Sequence, residues 1–176
     1  MVFFGRIFLF LILFLSSAAV FAGERTALEL GVRGGPNDDH NHEEYTAGEV
    51  YLLRALPWQV SLVEVVKLGG RLDAGVMMLE ANGQHAAMVA IGGDLYLSML
   101  NEHMEFEVGF RPTWLHDYKI GEDNFGGEFQ FTSHAGMSLS WQRMNLSYRF
   151  QHTSNAGLYE YNPGLNLHLV GLGYRF

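Results

Sequence analysis

The stretch EFQFTSHAGMSLSW, residues 128–141, alternates apolar and polar side chains along almost its whole length. One set of alternate positions is apolar: Phe129, Phe131, Ala135, Met137, Leu139 and Trp141. The other set is largely polar: Glu128, Gln130, Thr132, His134, Ser138 and Ser140. Successive side chains of a β-strand point to opposite faces, so a period of two indicates a strand. The stretch therefore predicts a strand with one apolar face and one polar face.

The same period recurs along the chain. It is clear in MEFEVGFRPTW, residues 104–114, and in MNLSYRFQH, residues 144–152, and weaker in residues 27–33, 46–56, 66–78, 89–99 and 165–176. No helical period is present after residue 22. The chain is thus predicted to be all-β, with about eight strands.

The connections between these strands differ systematically in length. Long polar connections are predicted at residues 36–45, 117–127 and 155–164, and short ones at residues 58–59, 100–102 and 142–143. The Asn82-Gly83 turn is the exception, because it is tight on the long-loop side. Long loops at one rim and short turns at the other are typical of membrane barrels. We predict an eight-stranded antiparallel transmembrane β-barrel, with a soluble lipocalin-like barrel or sandwich as the alternative.

The beginning of the chain has the pattern of a secretory signal peptide. Arg6 precedes an apolar run, and small residues follow up to Ala22. The run is shorter than the ~20 residues that a membrane helix needs. We therefore expect residues 1–22 to be removed and residues 23–176 to form one barrel domain outside the cytoplasm.

The composition excludes several classes of function. Loss of Arg6 changes the formal charge from −8 to −9. An acidic chain argues against nucleic acid as a partner, and the absence of cysteine excludes a disulfide framework. Apolar residues make up 48% of the chain, which suits a barrel with lipid on its outside.

Charged residues fall on the strand face opposite the apolar one. An eight-stranded barrel is narrow enough to be filled by side chains, so we expect an interior ion-pair network and no channel. The predicted members are Glu29, Arg33, Arg71, Asp73, Asp94, Glu105, Glu107, Arg111, Glu128 and Arg149. The three tryptophans, Trp58, Trp114 and Trp141, are expected near the rims as interface anchors.

One histidine and one serine stand out at the end of the segment MNLSYRFQHTS. By parity, His152 shares the face of Tyr148 and Phe150, and Ser154 extends the same row. Counting back from Phe176 by twos places Asn166 on this lipid face in the last strand. From the pattern alone, the polar end of a strand is a better explanation of these residues than a catalytic pair.

A resemblance to a known family favours the catalytic interpretation. The segment HTSNAGLYEYNPGLN, residues 152–166, with its flanking strands, resembles the lipid A 3-O-deacylases (PagL) of Gram-negative outer membranes. The segment KIGEDNFGGEFQFTSHAGMSLSW, residues 119–141, is similar to the loop and strand that precede the family's catalytic hairpin. Before residue 119 the chain is compatible with the family but carries no specific motif.

The resemblance implies a serine esterase in the outer membrane that removes an acyl chain from lipid A at the external leaflet. Ser154 would be the nucleophile and His152 the general base. Asn155 and the backbone amide of Gly157 would form the oxyanion hole. No metal or cofactor is implied.

One residue departs from the family pattern. The family has a glutamate fourteen positions after the histidine, where this chain has Asn166. An amide oxygen can hold the imidazole tautomer, but it does not stabilise imidazolium by charge. Glu160, in the same loop, is the nearest carboxylate in sequence and the expected substitute.

The sequence is also compatible with other functions. A non-enzymatic barrel with structural or adhesive loops, and acyl transfer from phospholipid to lipid A, are the alternatives, and a homodimer is compatible with the sequence. A polar loop could hold a metal, although a solvated loop is the simpler interpretation: Asp38, Asp39, His40, His42, Glu43 and Glu44.

Overall fold

The computed structural model describes residues 28–38 and 43–176. The predicted signal peptide, and Asp39, His40 and His42 of the polar loop, lie outside the described residues. Ten strands follow in order: β1 Leu28–Pro36, β2 Thr46–Val63, β3 Val66–Ala81, β4 Gln84–Met99, β5 Met104–Leu115, β6 Lys119–Ile120, β7 Asp123–Asn124, β8 Phe129–Trp141, β9 Met144–Ser154 and β10 Leu165–Arg175.

Eight of these strands form a closed barrel in the order β1-β10-β9-β8-β5-β4-β3-β2. All neighbours are antiparallel, including the closing pair of β1 and β10. Strands β6 and β7 form a separate hairpin within a loop. The predicted eight-stranded antiparallel barrel is confirmed, and closure gives each of its eight strands a neighbour on both sides.

Within the described residues, no helix is long and apolar enough to cross a membrane.

One predicted turn is wrong. Residues 58–59 do not connect two strands, because β2 continues through them to Val63 and the turn follows at residues 64–65. The register of β2 against β3 shifts between Ala55 and Gln59, on either side of Pro57. Proline donates no backbone hydrogen bond and is tolerated in strands at such irregularities. The break in alternation at Pro57 thus marks a bulge in a long strand and not its end.

The outward face of the barrel is apolar, as the alternation predicts. Val32 on β1, Ile91 on β4 and Val170 on β10 are exposed by 57%, 65% and 58%. Burying such side chains in lipid is favourable, whereas their exposure to water over a whole surface is not.

The interior has two layers. Its middle holds a buried ion-pair network in which Arg149 binds Asp73 at 2.7 Å and Arg111 binds Glu49 at 2.7 Å. Glu128 lies one residue before β8 and joins no ion pair in the part of the chain that the structure describes. The predicted network is therefore confirmed in its centre, with Glu49 added to it.

Towards the rim with the long loops, the interior becomes apolar. Tyr45 and Phe125 pack edge to face, and Tyr45 donates a hydrogen bond to Asp123 Oδ2 at 2.9 Å. We call the β6–β7 hairpin with Tyr45 and Phe125 the outer cap. It lies over inward-facing leucines of three strands: Leu79, Leu115, Leu165, Leu167 and Leu169.

Candidate active site

The site lies at the end of β9, on the outside of the barrel. Gln151 and Thr153 point inward and are 0% and 1% exposed, whereas His152 and Ser154 point outward and are partly exposed. The outward row continues down the strand through Phe150 and Tyr148. The histidine and serine therefore lie on the same face as the apolar side chains, at the rim with the long loops.

Asn166 on β10 lies directly opposite His152 in the β9–β10 register. Its Oδ1 is 2.7 Å from His152 Nδ1. An amide oxygen only accepts hydrogen bonds, so Nδ1 carries a proton, and in the neutral form of the imidazole the free lone pair is on Nε2. This is the tautomer that a general base needs if it is to take a proton at Nε2.

Asp38 lies on the far side of Asn166, just after β1. Asn166 Nδ2 donates a hydrogen bond to Asp38 Oδ2 at 2.9 Å, and the Asp38 backbone amide donates to Asn166 O at 3.2 Å. From the sequence, Asp38 was assigned to a polar loop that could hold a metal, and its contact with Asn166 was not predicted. Only the closing of β1 against β10 brings the two residues together.

Gly164 forms a second contact that the sequence did not predict. It lies at the end of the β9–β10 loop with a φ of +72°, and a Cβ atom there would be 3.0 Å from His152 Cε1. Glycine adopts this backbone conformation at little cost. The absence of a side chain leaves room for the imidazole ring.

Ser154 forms no hydrogen bond to His152 within the described residues. Its partner across the β8–β9 ladder is Phe131, while the partner of His152 is Ser133, which is exposed on the same outer face. Two serines therefore flank the histidine. Catalytic hydrogen bonds are often long in the absence of substrate, so the geometry alone does not select between them.

Asn155 organises the loop that follows Ser154. It is fully buried, and its Nδ2 donates to the carbonyl oxygens of Phe125 at 2.9 Å and Tyr161 at 2.6 Å. Its backbone amide donates to Asn162 Oδ1, and its own Oδ1 accepts from the Gly157 amide at 2.9 Å. Both predicted oxyanion donors are thus engaged within the loop. Their role in an oxyanion hole stays a prediction. It would require these donors to give up their present hydrogen bonds in favour of the oxyanion.

The backbone amide of Ala156, which lies between these two donors, differs from them in its hydrogen bonding. Ala156 has a φ of +53°, which is unusual for a residue with a side chain, and its N–H has no hydrogen-bond partner among the described residues. Glu160 is exposed, and it forms neither a hydrogen bond nor an ion pair with His152 in the described part of the chain. It therefore does not take the position of the family glutamate here.

One group of residues with metal-ligand chemistry lies inside the barrel, and both of its carboxylates form ion pairs with arginines. Asp73, Asp94 and His134 come within 4.8 Å of one another inside the barrel. Arg149 binds Asp73 at 2.7 Å and Arg71 binds Asp94 at 3.1 Å, so cationic side chains already neutralise both carboxylates. In the polar loop, Glu43 accepts the backbone amide of Glu122 at 2.6 Å.

Comparisons with known proteins agree with the fold. A crystal structure of the outer membrane enzyme PagL superposes with a TM-score of 0.74 at 17% identity, over 83% of this chain and 98% of that one. The Yersinia pestis outer membrane protein Ail superposes with a TM-score of 0.53 at 9% identity, over 87% and 100% of the two chains. At these identities the superpositions demonstrate a shared fold.

Sequence comparison is more specific. Lipid A deacylase PagL of Bordetella bronchiseptica is 32% identical over 76 residues, which is 43% of this chain and 43% of that protein. The match therefore spans less than half of the curated relative. The family model for lipid A 3-O-deacylase (PagL) matches residues 46–175, which include His152, Ser154 and Asn166. The chain belongs to the lipid A 3-O-deacylase (PagL) family.

Proposed function

We propose that this protein hydrolyses an ester-linked acyl chain of lipid A in the outer membrane, with Ser154 as the nucleophile and His152 as the general base. The observation that carries the proposal is the hydrogen bond between His152 Nδ1 and Asn166 Oδ1 on the outer wall of the barrel. A polar pair that faces lipid costs free energy, so its presence favours a functional role. Its position at the rim with the long loops suits a substrate in the external leaflet.

The chemistry follows from the tautomer of His152. Nε2 takes the proton of Ser154 Oγ as this oxygen attacks the acyl carbonyl carbon, after the serine side chain has turned towards the ring. The tetrahedral intermediate collapses when the sugar hydroxyl leaves with the proton from Nε2. Water, deprotonated in turn by His152, then releases the fatty acid from Ser154.

The developing oxyanion needs at least one hydrogen-bond donor. The N–H group of Ala156, two residues after Ser154, has no partner in the described part of the chain and is the donor we assign. Loss of one such donor costs ~3 to 4 kcal/mol of transition-state stabilisation in serine hydrolases. Asn155 and Gly157 support this amide by fixing the conformation of the loop.

The experiment is to incubate the purified protein in detergent with lipopolysaccharide and to measure the mass of lipid A. We expect the loss of one acyl chain with the wild type, and no loss with Ser154→Ala or His152→Ala. Ser133→Ala tests the second serine, and we expect it to retain hydrolysis. Loss of activity in Ser133→Ala together with an active Ser154→Ala would overturn the nucleophile assignment.

Two other outcomes decide between the alternatives. A gain in the mass of lipid A when phospholipid is present would indicate acyl transfer instead of hydrolysis. An unchanged mass with the wild type would contradict the enzymatic function and favour a structural or adhesive barrel.

A further inference from the structure

A continuous chain of hydrogen bonds joins a carboxylate to the proposed general base. Asp38 Oδ2 accepts from Asn166 Nδ2 at 2.9 Å, and Asn166 Oδ1 lies 2.7 Å from His152 Nδ1. All three side chains are partly buried at the rim where β1, β10 and β9 lie side by side. Charge-assisted hydrogen bonds are stronger than neutral ones, and partial burial strengthens them further.

The direction of each hydrogen bond is determined by the carboxylate. An ionised aspartate only accepts, so it holds the NH2 group of Asn166 towards itself and the amide oxygen towards the imidazole. A freely rotating amide could instead present its NH2 group to His152 and favour the opposite tautomer. Asp38 therefore selects the amide orientation that favours the tautomer of His152 with its proton on Nδ1.

The backbone holds Asp38 in place independently of its side chain. The Asp38 amide donates to Asn166 O, and Asn37 bridges to Leu167. Asn37 also accepts the Tyr45 amide at 2.9 Å and donates to Glu43 O at 2.9 Å. Removal of the Asp38 carboxylate would therefore leave these backbone and loop contacts intact.

We propose that Asp38 is a positioning residue that replaces the family carboxylate, acting on His152 through the amide of Asn166. The inference rests on the proposed esterase function. As Ser154 gives up its proton, the imidazole becomes positively charged, and the carboxylate beyond Asn166 stabilises this charge. In this chain the carboxylate thus lies one residue beyond the hydrogen-bond partner of His152, at the end of β1 instead of on β10.

The test compares Asp38→Asn in two backgrounds. In the wild-type background we expect kcat for lipid A deacylation to fall about tenfold, with KM within about twofold, because an interaction made in the transition state is lost. In the Asn166→Glu background the charge lies beside His152 itself, so the same substitution should change kcat by less than about twofold. A purely structural role for Asp38 would lower kcat equally in both backgrounds.

The matched control is Glu44→Gln, which removes an exposed acid from the same loop and should leave kcat and KM unchanged. An unchanged kcat in Asp38→Asn, or equal losses in both backgrounds, would overturn the proposal. So would an inactive Asn166→Glu variant, since it would mean that a carboxylate next to the imidazole does not support catalysis. An inactive wild type would instead contradict the proposed function itself.

Discussion

Gly164 lies against the ring of His152 where the β9–β10 loop enters β10. Two properties restrict this position to glycine: the backbone has a φ of +72°, and a Cβ atom would lie 3.0 Å from His152 Cε1. The imidazole is thus held between Asn166 on one edge and the backbone of Gly164 on its Cε1 side. Its position depends on the absence of one side chain as much as on the presence of another.

Gly164→Ala should therefore impair catalysis more than stability. The positive φ alone is expected to cost about 1 kcal/mol of folding stability, and displacement of the His152 ring should lower kcat about tenfold or more. Gly83→Ala is the control, because Gly83 has a similar φ of +75° and open space around its Cα. Equal kcat values in the two variants, measured with the lipid A mass assay, would contradict this role of Gly164.

At the residue scale, strand parity predicts part of the site and misses the rest. His152, Ser154 and Asn166 lie on the outer face because each occupies an outward-facing alternate position of its strand. These positions can be counted directly in the sequence. Asp38 and Ser133 approach His152 or its partner only through the register of neighbouring strands, and register is not encoded in any single strand. Local spacing in the sequence therefore predicts which residues come together within a hairpin, but not which residues come together between strands that are distant in the sequence.

At the scale of elements, the loop after β9 is attached to the outer cap. Asn155 donates to the carbonyl oxygens of Phe125 and Tyr161, so one buried side chain connects the loop with the segment after β7. Tyr45 connects the same cap to the start of β2 through Asp123. Burial, and next the hydrogen bond to Asp123, raise the pKa of the Tyr45 phenol above its usual range, so the phenol remains a donor at neutral pH. The outer cap thus orders the loop that carries the proposed oxyanion donor.

The substitution Asn155→Ala should detach the loop after β9 from the outer cap. The buried carbonyl group of Phe125 and the part-buried one of Tyr161 would lose a donor, at a cost of about 1 to 3 kcal/mol. We expect kcat to fall because Ala156 loses its fixed orientation. Urea unfolding in detergent measures the first effect and the lipid A mass assay the second. Wild-type kcat in a folded Asn155→Ala variant would contradict the coupling of the loop to the cap.

At the scale of the whole molecule, alternation determines the fold but not the division of the interior into two layers. The sequence predicts inward charges and strand count because period and loop lengths are local properties. The bulge at Pro57 was predicted as a turn because it breaks the alternation. The hairpin of β6 and β7 was not predicted because each of its strands has only two residues. Asp73 illustrates the middle layer: three arginines, Arg33, Arg111 and Arg149, lie within 3.6 Å of its carboxylate.

Asp73→Ala would leave these buried arginines without part of their countercharge. Breaking such a buried pair typically costs about 3 to 5 kcal/mol, so we expect a loss of this size in the free energy of unfolding in lipid bilayers. The exposed pair Lys67 and Glu102 provides the control, since its side chains are 38% and 52% exposed. Glu102→Ala should change stability by less than about 1 kcal/mol, and a similar loss in both variants would contradict the importance of burial.

The contact between Asp38 and Asn166 joins the first strand of the barrel to the last. These residues are 128 positions apart in the chain, so they meet only when β1 and β10 pair and the cylinder is complete. If Asp38 acts as proposed, full esterase activity would appear at the final step of membrane insertion. The rate of deacylation would then report on barrel assembly. A chain that has not yet inserted into the membrane would have reduced esterase activity towards other lipids.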